Sequence, residues 1–298
     1  MGFSAMSIVL LLSAIHSVTH SLILRPGAVK IYDSNDAKLR RGWPFVREKF
    51  KTKMQSPVDI NTEYATFVRL PPLTFVQYWD NEEEVVILEN TGYTVKLKLL
   101  DEVPISQRPM ITGGPCTGLF VFAEMHFHWG QTDDDGSEHY MDGQAFSCEM
   151  HIVHYNAKYG SLKKAIKFYD GVVVTGFFGD AVDDTNTEIS QFIEDIKQIH
   201  KCHQKVKAKV SNIFSFIKKS VENQHYYTYP GSLTTPEFEE CVFWILFSKP
   251  FEISSDQLAE FRHLQASDGK TYIHKNDREL QDFNNRTCLF AVGTISIE

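Results

Sequence analysis

Apolar and polar positions alternate in short runs from about Ile60 to Ile111, most clearly over Glu84 to Glu89 and Tyr93 to Leu100. A period of two is that of a β-strand with one buried face. Pro71-Pro72, Asn90-Thr91-Gly92 and Gly113-Gly114-Pro115 divide the runs at close intervals, as turns do. Thr187 to Lys201 is spaced differently. There Ile189, Phe192, Ile193, Ile196 and Ile199 recur at helical intervals, and Asp256 to Leu264 predicts a second short helix. No repeat or low-complexity linker is present. The pattern predicts one α+β domain, from about residue 28 to 298, dominated by a sheet and decorated by a few helices.

The longest apolar run, Ser7 to Ile15, is too short to span a bilayer but suits the core of a signal peptide over residues 1–20. The expectation is therefore a secreted protein with no stable membrane span. No Lys or Arg precedes the run, which leaves an uncleaved N-terminal segment and a cytoplasmic protein as the competing reading. The sequon Asn285-Arg286-Thr287 would be usable after secretion. Five cysteines with no CxxC pair signal neither a disulfide framework nor a cysteine zinc site. Across 298 residues, 30 basic against 38 acidic side chains give a net charge of -8. With no long basic run, this excludes a general nucleic-acid binder. Nothing in the sequence fixes the oligomeric state.

The most informative segment is Glu124-Met125-His126-Phe127-His128-Trp129. Read as a strand, it places Glu124, His126 and His128 on one face and Met125, Phe127 and Trp129 on the other. In Cys148 to Tyr155 the same parity aligns Glu149, His151 and Val153, while His154 faces away. If the two strands are neighbours, His151 completes a three-nitrogen site that leaves zinc a fourth position for water. An HxH pair alone arises often by chance. Glu124 and Glu149 strengthen the ligand reading, because a carboxylate can accept the second ring N–H and fix the tautomer. His139 and His154 read as structural histidines.

These segments, together with Gln55-Ser56-Pro57-Val58-Asp59-Ile60, Gly136-Ser137-Glu138-His139 and Tyr229-Pro230-Gly231-Ser232-Leu233-Thr234-Thr235-Pro236, resemble the α-class carbonic anhydrases over most of the chain. The resemblance implies a single domain on a large, twisted, mainly antiparallel sheet with few peripheral helices, and one Zn2+ at the base of a cleft. It implies His126, His128 and His151 as metal ligands, with Glu124 and Glu149 as their hydrogen-bond partners. Thr234 matches a threonine that donates to Glu138 and orients zinc-bound hydroxide for attack on carbon dioxide. Thr235 and the Thr234 backbone would seat bicarbonate. Val153, Val174, Leu233 and Trp244 fall at the family's apolar substrate pocket, although without the match they read as core.

Several positions call for comment. Tyr93 occupies the position of a proton-shuttling histidine, and a phenol with an ordinary pKa near 10 relays protons poorly at neutral pH. An active but buffer-sensitive enzyme is expected. Lys96 falls where the family often has a water-ordering polar residue; it either relays protons or is simply solvated. Glu124 replaces a usual Gln, and its charge is expected to raise the pKa of the metal-bound water. Upstream, Trp43 fits the family spacing, but Tyr32 is two places off register. The cysteine pair of secreted members is also missing, with Lys53 and Phe238 near the expected places. A catalytically weak binding module of the same fold is the competing function. A zinc hydrolase of another kind lacks the HExxH motif.

Overall fold

The structure, a computed structural model, describes residues 53–79 and 85–292. The signal-peptide expectation, Tyr32 and Trp43 lie outside these residues. In chain order the strands are β1 (Asp59–Ile60), β2 (Thr66–Val68), β3 (Thr74–Val76), β4 (Val85–Asn90), β5 (Val95–Leu99), β6 (Met110–Thr112) and β7 (Phe120–Trp129). They continue with β8 (Tyr140–Met141), β9 (Cys148–Asn156), β10 (Val172–Val182), β11 (Lys205–Lys209), β12 (Tyr226–Gly231), β13 (Val242–Ser254) and β14 (Leu289–Ala291). Twelve of them form one sheet in the order β11-β4-β5-β7-β9-β10-β13-β12-β14-β2, with β6 beside β7 and β3 beside β6. The sheet is mixed but mainly antiparallel, the parallel contacts being β10 with β13 and β14 with β2.

Alternation builds these strands as expected. In β5, Val95, Leu97 and Leu99 are buried and Lys96 and Lys98 are not. The turn before it uses Asn90, whose Oδ1 accepts the Gly92 N–H at 2.8 Å, a local bond that competes with strand continuation. Gly92 has φ +80°, and a Cβ there would meet Cys202 Sγ and the Ser267 backbone at 2.7 Å, so only glycine fits.

The predicted helix over Thr187 to Lys201 is shorter. A 3-10 turn, Thr187–Ile189, leads into an α-helix over Ser190–Lys197. Past Lys197 the ladder tightens, with the Gln198 N–H donating to the Asp195 carbonyl at 3.2 Å and the Ile199 N–H to the Ile196 carbonyl at 3.0 Å, and the Lys201 N–H leaves it for Gln204 Oε1 at 3.0 Å. The second helix spans Ser255–Arg262 and starts on a capping box between Ser254 and Gln257.

Both helices cover one face of the sheet. Phe127 packs 5.3 Å from Phe192 and 5.3 Å from Phe261, and Trp129 lies 5.4 Å from Phe261. Aromatic burial of this kind contributes about 1.5–3 kcal/mol per side chain. Residues of the other parity on β7 and β9 are thereby committed to the opposite face. A register shift between Phe122 and Glu124 against β9 lets Phe120 and Phe122 share the helix-covered core with Met125, Phe127 and Trp129, while Val121 packs on the other side.

Candidate metal centre

Strands β7 and β9 are antiparallel neighbours with His126 directly opposite His151 and His128 opposite Glu149. The three rings meet, with centroids 5.1 Å apart for His126 and His128, 5.2 Å for His126 and His151, and 4.7 Å for His128 and His151. One ligand-capable atom from each lies within 4.8 Å of the other two. Buried and without a hydrogen-bond partner are His126 Nε2, His128 Nε2 and His151 Nδ1. Three converging orphaned nitrogens are costly to bury unless something accepts their lone pairs. Their donor set fits a divalent borderline-soft cation such as zinc.

Two of the rings are held from behind by hydrogen bonds, and the third faces a carboxylate at longer range. His128 Nδ1 lies 3.1 Å from the Asn276 carbonyl and donates to it. His151 Nε2 donates to Glu149 Oε1 at 2.6 Å. His126 Nδ1 faces Glu124 Oε1 at 3.5 Å. Burial depresses His128 well below the ordinary imidazole range. It lowers His151 to about 4 against the pull of Glu149. Both rings are therefore neutral at pH 7, the form that ligates metals.

Glu149 is fully buried, which would raise its pKa, but His139 and His151 outweigh this and hold the carboxyl well below its usual range. Its Oε1 also meets His139 Nδ1 at 2.8 Å, and its Oε2 accepts the His139 backbone N–H at 2.8 Å. His139 Nε2 in turn lies 2.7 Å from the Tyr229 hydroxyl, which lies 2.9 Å from Ser56 Oγ. The His139, Glu149 and His151 cluster is thus a hydrogen-bond chain rather than a second metal site. The structural reading of His139 holds, with a specific task attached.

Glu138 is buried, and burial pushes its carboxyl well above the usual range, opposed first by the hydrogen bond that the Thr234 hydroxyl donates to it. The Arg278 backbone N–H donates to Glu138 Oε1 at 2.9 Å. A cation among the three imidazoles would draw the carboxyl back toward its ionised form.

The apolar candidates form one row. Val153 pairs with Val174, and Val174 pairs with Trp244, across β9, β10 and β13. The Trp244 ring sits 4.8 Å from His151, edge to face. Leu233 is half-buried against the same cluster, and Thr235 is exposed beside buried Thr234. Tyr93 is 69% exposed. It joins the centre through its carbonyl, which accepts from Asn276 Nδ2 at 3.0 Å.

Lys96 departs from both readings given to it. It lies opposite His126 in the β5/β7 register, and its ammonium donates to Glu124 Oε2 at 3.0 Å. It is neither a free relay nor simply solvated, because a strand neighbour offers it a carboxylate.

Sequence reasoning missed Asn276, Arg278, Tyr229 and Ser56 as supports. Asn276 also accepts the Trp129 N–H through Oδ1 at 2.8 Å and donates to the Phe127 carbonyl at 2.9 Å. Its position in an irregular segment carries no periodic signal. Gly176 was missed too: a Cβ there would come within 2.6 Å of Leu246 Cδ2 and 3.1 Å of Glu149 Oε1.

A large mixed sheet carrying three buried, converging imidazoles on neighbouring antiparallel strands defines a candidate histidine site for a metal ion. A family model for eukaryotic-type carbonic anhydrase matches residues 39–291, and the chain belongs to that family. Carbonic anhydrase 3 of Homo sapiens is 34% identical over 253 residues, covering 82% of this chain and 92% of that protein. The Bos taurus carbonic anhydrase 3 is 34% identical over 226 residues, covering 76% of this chain and 83% of its own. The Sus scrofa protein of the same name is 35% identical over 217 residues, with 72% and 78% covered.

Proposed function

We propose that this protein catalyses the reversible hydration of carbon dioxide to bicarbonate and a proton, using one zinc ion held by His126, His128 and His151. The observation that carries the reading is the set of three buried ring nitrogens without partners, aimed at one point. Bound there, zinc acts as a Lewis acid that lowers the pKa of coordinated water from about 15.7 to roughly 7, which makes a nucleophile available at neutral pH.

The chain's own residues supply the rest. Asn276 and Glu149 fix the tautomers of His128 and His151, so that the metal-facing nitrogens carry lone pairs. Thr234 commits its hydroxyl proton to Glu138, which leaves its oxygen free to accept a hydrogen bond from the attacking group and so to orient it. Val153, Val174, Leu233 and Trp244 offer an apolar wall to an uncharged substrate, while Thr234 and Thr235 seat the bicarbonate. Tyr93, an exposed phenol, stands where the family resemblance expects the imidazole that would carry the proton away, so solution buffer takes that task.

We further propose secretion after removal of residues 1–20. Asn285 and Thr287 are exposed, so the sequon is open to glycosylation. N-terminal sequencing and mass spectrometry of the exported protein test this.

Stopped-flow hydration assays, paired with metal analysis, test the activity. One zinc per chain, hydration well above the buffer rate and loss of both in His128→Ala are expected. Thr234→Val should retain zinc and lose about 100-fold or more in kcat/KM. Bound zinc with no hydration above buffer would instead identify a binding module of this fold.

A further inference from the structure

A second group of metal-ligating side chains lies away from the centre described above. His200 follows the helix Ser190–Lys197, and Glu260 and His263 lie at the end of the helix Ser255–Arg262, three residues apart and so on one side of it. His200 Nε2 is 3.1 Å from Glu260 Oε2, and His263 Nδ1 is 3.5 Å from the same oxygen. One ligand atom from each residue lies within 4.8 Å of the other two. The His200 and His263 ring centroids are 5.8 Å apart with the planes at 74°. Despite its short distance to Glu260, His200 Nε2 is sealed from solvent and has no hydrogen-bond partner.

We propose that His200, Glu260 and His263 form a peripheral, exchangeable site for a divalent transition-metal ion such as Cu2+ or Zn2+. Two imidazole nitrogens and one carboxylate oxygen are a donor set for such ions, with the remaining coordination positions left to water. A shared cation gives His200 Nε2 the partner that the protein withholds. The frame is already rigid, because the His200 carbonyl is pinned by Gln265 N–H and Asn90 Nδ2, so little ordering is required on binding. His263 is the C-terminal cap of its helix, where the backbone dipole favours positive charge. Lys197 is the cation facing Glu260, and its ammonium is directed to Glu194 at 2.7 Å. Openness makes the site exchangeable, since the His263 side chain is 60% exposed.

The test uses the full chain with its first zinc equivalent already in place, titrated with Cu2+ by calorimetry and followed by electron paramagnetic resonance. The native protein should take up a second equivalent with nitrogen hyperfine structure. His263→Ala and Glu260→Gln should each weaken that equivalent by about tenfold or more, while His274→Ala, at another exposed histidine, should not. An unchanged hydration rate in His263→Ala reports an intact fold. The assignment is overturned if the native protein takes up no second equivalent, or if His263→Ala and His274→Ala bind it alike.

Discussion

Lys96 Nζ lies 3.0 Å from one oxygen of Glu124, whose other oxygen lies 3.5 Å from Nδ1 of the proposed ligand His126. Burial works to raise the Glu124 carboxyl, but His126 and Lys96 overcome it and hold the pKa down at about 2. The carboxylate is therefore charged at every working pH, and the ammonium partly offsets the field it would exert on a metal held by the three imidazoles. Glu124→Gln removes negative charge and should move the midpoint of the pH–rate profile downward. Lys96→Met leaves that charge uncompensated and should move it upward. Each shift is expected to stay below about one pH unit, because the pair is partly solvated. Midpoints that move in the same direction would refute this account.

Tyr93 gives a kinetic prediction. Raising the concentration of an imidazole buffer should increase kcat in the native protein. In Tyr93→His, turnover at low buffer should rise and the dependence on buffer should flatten, since the new side chain titrates near neutrality. The measurement is initial-rate hydration at fixed pH and ionic strength across buffer concentrations.

His154 sets an acid limit on stability. Its ring is buried against Phe122 and Phe214 through Tyr78, whose hydroxyl contacts His154 Nε2. Burial lowers its pKa from the ordinary 6.5 to about 3. Below about pH 6.5 the unfolded chain takes up a proton that the folded chain refuses, so stability present above that pH is lost as the pH falls toward 3. This residue contributes at most about 1.4 kcal/mol per pH unit over that window. Denaturant melts of His154→Gln should show a lower plateau and a shallower acid slope than the native protein. Parallel slopes would count against the assignment.

The thiols should separate by burial. All five cysteines are free. Burial pushes the thiols of Cys116 and Cys288 up to about 12 and that of Cys148 higher still. Cys202 is half-buried, against the turn that carries Gly92. Iodoacetamide applied to the native protein should label Cys202 first and reach Cys148 and Cys288 only on unfolding, as peptide mass mapping would reveal. Polar ties, not a disulfide, join the segment around Met54 and Gln55 to the one around Phe238. Gln55 Nε2 donates to the Phe238 carbonyl at 3.2 Å and to Glu240 Oε1 at 3.0 Å, and the Met54 N–H donates to the same Glu240 oxygen at 2.8 Å.

Much of the centre was legible in two short segments. Within Glu124 to Trp129 and Cys148 to Tyr155, alternation sorts the proposed ligands from the core without knowledge of any partner, because a strand side chain has only two directions to point. The same rule applied to the whole of β7 would fail. Phe120 and Phe122 have the parity of His126, yet they lie on the Phe127 side because the irregularity at Ala123 reverses the alternation. Nothing in the residues Phe122-Ala123-Glu124 announces that reversal.

The sequence by itself determined which side chains could bind a metal, which face of each strand they would share, and where turns would divide the sheet, since all of these follow from chemistry and local geometry. Only the tertiary structure decided that His126 stands opposite His151, that Lys96 reaches Glu124, and that the carbonyl of Asn276, 148 residues from His128, fixes that ring. Strand neighbours, register and loop-to-strand hydrogen bonds depend on how distant segments pack together, and a local pattern carries no record of its partner.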